Sequence, residues 1–270
     1  QVVESSPTIF IAFNYDFRLA SVYSIYYLII LMIKMIINTI QLSISEVFGN
    51  MIVSEDDKKI KKVFDLMVFI YVVIGVFLTT CAAFLFMPFV SLYTEGITDV
   101  NYNFPLLALF IIIYALIYCF YMPFYTLSNV YGLFKETYMQ ALVTGIISLV
   151  ISFVLTIYYE MSFVLTGLMF YYLVSMIYRI IIIKRKIDWF TIKKLPSRFL
   201  LYISLPLLAY YMQQTSVQNI SSWISLFCTT IYTASVVIAI LSFYILLFER
   251  KMFFEMKNYV ILLINREGEK

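Results

Sequence analysis

Apolar runs of about 18–27 residues recur along this chain, each closed by a short polar connection, and runs of that length allow few folds. Some ~20 apolar residues are what a helix needs to cross a ~30 Å hydrocarbon layer. Backbone inside such a layer finds no water, so each run must satisfy its own N–H and C=O groups, as a helix does. The runs lack the two-residue alternation of a barrel strand. AVILMFWYC residues make up 63% of the chain, against ~45–50% in a soluble domain. The expected fold is all-α: a polytopic transmembrane helix bundle.

The pattern predicts one partial span at 2–15 and seven complete ones, at 20–42, 64–90, 104–128, 138–158, 162–183, 199–212 and 222–248. The chain opens "QVVESSPTIFIAF". Its short first run reads as the outer end of a helix that starts upstream, so the chain is expected to be the C-terminal part of something longer.

Loop charge orients the set. Of the 19 Lys and Arg, all but Arg18 and Lys34 fall in or beside "SEDDKKIKK", "GLFKET", "KRKIDWFTIKKLPSR" and the tail from Glu249. The alternate connections, "NYDFR", "YTEGITDVNYN", "YYEMS" and "QQTSVQNISS", carry only Arg18. By the positive-inside rule the basic connections and the C-terminus are cytoplasmic. The tail "ERKMFFEMKNYVILLINREGEK" mixes basic and apolar residues. It reads either as an amphipathic helix along anionic membrane lipid or as a solvated extension.

Several chemistries find no seat here. There is no His, the commonest general base and metal ligand. Neither a GxGxxG nor a P-loop stretch occurs, so nucleotide hydrolysis has no cradle. Cys81, Cys119 and Cys228 lie inside apolar runs without metal-ligand spacing and read as small hydrophobes. No metal, cofactor or nucleic-acid partner is expected. The longest external connection, Tyr93–Asn103, holds only Glu95 and Asp99 as charged groups. A glycan polymerase or ligase needs more than that outside the membrane, so the chain is not expected to be an enzyme.

One residue interrupts the apolar pattern. Lys34 lies within "YYLIILMIKMIINTIQ", where a charge at the bilayer centre costs ~2.5–3.5 kcal/mol even on translocon scales. On a helical wheel it shares a face with Tyr23, Tyr27, Asn38, Gln41 and Ser45, at steps of 4, 7, 4, 3 and 4. Eight residues, or ~12 Å, separate Lys34 from the inner end of its span. A lysine stem covers about half of that by snorkelling, so the stripe is expected to face a cavity. Counted from the outer helix ends, Glu4 lies ~15 Å deep and Lys34 ~21 Å deep, which predicts contact within one turn. A second stripe, Gln140, Thr144, Ser148, Ser152 and Thr156, has the i, i+4 spacing of small residues in close helix packing. Arg179, one turn from Ser175 at the inner end of its span, reads as an interfacial anchor.

The stretches "LASVYSIYYLIILMIKMIINTI", "FGN", "FVSLYTEGITDVNYNFPLLALF" and "YMPFYTLSNVYGLFKETY" resemble the bacterial Wzx-type oligosaccharide and polysaccharide flippases. These belong to the multidrug/oligosaccharidyl-lipid/polysaccharide exporter superfamily. The resemblance runs over residues 8–185 and implies helices seven to fourteen of a fourteen-helix, two-lobe protein. Residues 1–185 would then form the C-terminal lobe. Residues 186–270 would supply a cytoplasmic linker, two additional transmembrane helices and the basic tail. The implied activity is movement of undecaprenyl-diphosphate-linked oligosaccharide across the bacterial inner membrane, for O-antigen, lipopolysaccharide or capsule synthesis. The implied partners are the lipid-linked oligosaccharide diphosphate, the absent N-terminal lobe and a polysaccharide polymerase. Lys34 matches a position in the family's eighth helix where a basic residue is frequent. The family's arginine before its "MPY" motif is Tyr121 here, its Glu and Asn after "FKET" are Thr144 and Ser148, and its helix-seven acid is Pro7, with Glu4 three residues earlier.

The expected substrate-binding residues are Lys34, Asn38, Gln41, Tyr23, Tyr27 and Glu4, supplying a cation with amide and hydroxyl donors to a diphosphate at depth. The alternative is a cation-coupled multidrug exporter of the same superfamily, which wants an intramembrane carboxylate. Glu4 is the one acidic residue away from a span end or loop.

Overall fold

Hydropathy marks where apolar side chains stop, not where a helix stops, and the two longest helices show the difference. The computed structural model describes residues 2–54, 56–191, 195–215, 220, 222–248 and 250. The span expected at 20–42 is part of helix α2, Phe17–Ser54, and the one at 64–90 is part of α3, Asp57–Tyr93. With 38 and 37 residues, each is roughly 55 Å long at 1.5 Å per residue, well beyond a ~30 Å layer. The connection "SEDDKKIKK" is thus mostly the first turns of α3, since Lys costs little in a helix.

Around these two lie α1 (Val2–Asn14), α4 (Pro105–Val130), α5 (Phe134–Tyr158), α6 (Leu165–Lys186), α7 (Leu195–Thr215) and α8 (Trp223–Phe248). A 3₁₀ turn, Met161–Val164, leads into α6. The described residues contain only helices, turns and irregular connections. Among them, α2 to α6 and α8 are the six helices long and apolar enough to cross a membrane, which fits a multi-pass membrane protein. The 13-residue α1 is too short for a crossing. α7, which carries the span expected at 199–212, is not among the six and mixes Ser204, Pro206 and Gln213 with its apolar residues. Most of the basic tail, residues 251–270, lies outside the described residues.

α4 sits at the centre, packed against α2, α3 and α6, and is the most buried of the six. Pro105 opens it at a position where the missing N–H costs nothing. Its far end closes with Gly132 in the left-handed region, φ +66°. The Leu133 N–H donates to Ser128 O at 2.9 Å and the Gly132 N–H to Asn129 O at 3.0 Å, the paired bonds of a Schellman stop. α1 leans on α2 and α5, while α7 and α8 lie along α3.

The α5 stripe packs as its spacing predicts. Thr144, Ser148, Ser152 and Thr156 are buried, α5 lies against α6, and Ser152 Oγ donates to Val164 O at 2.8 Å. Gly167 on α6 comes so close that any Cβ there would collide with Ser148 O and Ser152 Oγ.

Candidate functional site

From Phe17 to Phe48 α2 contains neither proline nor glycine, so its polar stripe stays on one continuous face. That face turns inward. Lys34 is 7% exposed although its neighbours Met35 and Ile36 are open to the outside. Its ammonium forms an ion pair with Glu4 Oε1. It also lies 3.4 Å from Tyr114 Oη, and 4.8 Å from the centroid of the Tyr118 ring. Glu4 Oε1 accepts a second bond, from Tyr172 Oη at 2.5 Å. A lone charge at this depth is costly, whereas the pair, with a phenol donor and an aromatic face beside it, keeps both members compensated.

Beside the pair opens a cavity of about 520 Å³ lined by Val3, Glu4, Asn38, Gln41, Met122 and five tyrosines: Tyr118, Tyr121, Tyr125, Tyr171 and Tyr172. Asn38 Oδ1 accepts from Tyr118 Oη at 2.5 Å, and Gln41 Nε2 donates to Ser45 Oγ at 2.9 Å. Four of the six expected residues, Lys34, Glu4, Asn38 and Gln41, therefore meet in or directly behind this wall. Tyr23 and Tyr27 do not line it. They stack on each other with centroids 5.5 Å apart, and Tyr23 is buried with its hydroxyl unpaired among the described residues.

The tyrosine wall has a sequence signal of its own. On α4, Tyr114, Tyr118, Tyr121 and Tyr125 recur at steps of 4, 3 and 4, one helix face. Tyr171 and Tyr172 on α6 complete it from the other side.

Arg179 departs from the interfacial role expected of it. It is 6% exposed and donates to Ser128 Oγ. Its guanidinium lies 4.9 Å from the Tyr125 ring centroid and 5.6 Å from that of Tyr121. The reason is local: Ser128 sits in the last turn of α4, where unpaired carbonyls draw a cation, and two ring faces cover the planar guanidinium.

Chemically, the cavity offers hydroxyls, two amides, flat aromatic surface and a carboxylate whose partner cation waits behind it. Among the described residues no group of three or more Cys, Asp or Glu could hold a metal. No family model matches this chain, and neither a curated protein nor a solved structure matches it.

Proposed function

We propose that this chain is part of a bacterial inner-membrane flippase that carries diphosphate-linked oligosaccharide between leaflets, with Lys34 as the cation that receives the diphosphate. The observation that carries this reading is the Lys34–Glu4 pair at the edge of a hydroxyl- and amide-lined cavity. An arriving phosphate replaces the Glu4 carboxylate on Lys34, so the ammonium is never unpaired. Tyrosine faces suit the sugar rings that follow. Outward movement of an anion is favoured by ~2.3 kcal/mol per charge per 100 mV when the cytoplasm is negative, so nucleotide hydrolysis is not required. The reading includes a second lobe, a cytoplasmic C-terminus and a polysaccharide polymerase acting downstream.

A second reading rests on a specific feature. Glu4 itself lines the cavity, and Lys34 does not. A carboxylate among five tyrosine rings also suits an organic cation, as a cation-coupled multidrug exporter requires. Deleting the protein separates the two. Loss of surface glycan with accumulation of lipid-linked oligosaccharide in the inner leaflet supports flipping. Intact glycan with new sensitivity to cationic drugs refutes it.

Orientation has its own test. Thr98, in the connection Tyr93–Asn103, represents the acidic side, and Lys58, exposed at the start of α3, the basic side. In a cysteine-free background, Thr98→Cys is expected to react with an impermeant maleimide in intact cells and Lys58→Cys only after lysis. The reverse pattern overturns the topology.

A further inference from the structure

Among the described residues two cations are buried, Lys34 and Arg179. Lys34 has a carboxylate partner; Arg179 forms no ion pair among the described residues. Its Nε is buried without an acceptor among the described residues, although guanidinium N–H groups are strong donors made for planar anions. The Ser128 hydroxyl, the end of α4 and two ring faces account for its charge only in part.

Position gives the unused donor a meaning. The ring nearest Lys34 is Tyr118, and the rings beside Arg179 are Tyr121 and Tyr125. All three line the same cavity. The two cations therefore stand behind one wall, and the rings they face are one to two turns of α4 apart, roughly 5–10 Å along its axis. Each lies one side chain back: Glu4 covers the approach to Lys34, and a tyrosine ring the approach to Arg179. A single phosphate can engage one of them. Two linked phosphates can engage both.

We infer that Arg179 is the second anion subsite of this cavity and sets its preference for a diphosphate over a monophosphate. This rests on the proposed flippase reading, with Lys34 taking one phosphate and Arg179 the other. Guanidinium rather than ammonium suits the task, because its fork holds two oxygens of one phosphate at once.

The test uses the whole protein as its native gene encodes it, purified into nanodiscs and titrated with farnesyl diphosphate, farnesyl monophosphate and inorganic pyrophosphate. The wild-type chain should favour farnesyl diphosphate over the monophosphate by about tenfold or more, the worth of one charge-assisted contact. Arg179→Gln should abolish most of that preference while changing monophosphate affinity by less than about twofold. Ser128→Ala, which keeps the charge but frees the guanidinium, and Arg179→Lys, which keeps the charge but loses the fork, should each reduce it partly. Pyrophosphate binding as tight as farnesyl diphosphate, with the same Arg179 dependence, supports the subsite and makes its occupant a free diphosphate rather than a lipid headgroup. An unchanged preference in Arg179→Gln overturns the inference and leaves Lys34 standing. Should that variant not fold, an unchanged preference in both Ser128→Ala and Arg179→Lys overturns it equally. A whole wild-type protein that binds none of the three sinks the flippase reading together with it.

Discussion

If Lys34 receives the diphosphate as proposed, Lys34→Ala at the native locus is expected to cut surface-glycan export by about 10–100-fold, the worth of one charge-assisted hydrogen bond. Membrane abundance should fall much less. Glu4 keeps its bond from Tyr172, and its side chain is 32% exposed, so the carboxylate left behind is not sealed away from water. Removing one partner of a fully buried pair would be far more damaging. Lys34→Arg should retain part of the activity, because charge and reach survive while the point-like ammonium does not. Glu4→Gln should be milder still: it removes the carboxylate paired with Lys34 and leaves the cation proposed to bind phosphate in place. Gel analysis of surface glycan beside an immunoblot of the membrane fraction reads all three. Normal export by an abundant Lys34→Ala protein would leave the lysine without a role in binding.

The second large effect concerns assembly rather than transport. Gly167→Ala should destabilise the bundle, lowering both membrane abundance and the unfolding temperature in detergent. The added methyl meets Ser148 O and Ser152 Oγ at far below contact distance, and one of these is backbone, which cannot rotate away. Overpacking costs about 1–3 kcal/mol where side chains can yield, and more is expected here. The gain of up to ~1 kcal/mol from exchanging Gly for Ala in a helix is too small to offset it. Gly145→Ala is the matched control. Its nearest neighbour is a Val3 methyl at 3.4 Å, an ordinary contact, so helix propensity should decide and stability should hold or rise. Equal behaviour of the two variants would mean that α5 and α6 are not packed as closely as this.

Much of the architecture could be read from the chain, because one physical requirement, a helix for every apolar run, leaves little choice. Helix ends could not. Lys58, Lys59, Lys61 and Lys62 stop the hydropathy signal, yet α3 runs through them, since a lysine leaves the apolar phase without leaving the helix. The site divides in a similar way. Lys34, Asn38 and Gln41 share a stripe on one helix, and the chain displays that stripe directly. Glu4 was reachable only by counting depth on two neighbouring helices. Arg179 was out of reach. Whether an arginine near a helix end snorkels outward or folds inward depends on what the neighbouring helices present, here the end of α4 and two tyrosine rings. Spacing within a single helix carries no such information.

The overlong α2 has a mechanical consequence. From Lys34 to Ser54 is 20 further positions along one unbroken rod, roughly 30 Å of helix. A tilt of about 10° pivoting at Lys34 would sweep the far end through roughly 5 Å. α3 starts just past that end, at Asp57, and runs back alongside, so the two rods meet at their polar tips like the arms of a pair of tongs. An adjustment at the ammonium that tilted α2 would thus be amplified several-fold at the tips. Spin labels near residue 50 would report occupancy of the cavity more sensitively than labels beside the cavity itself.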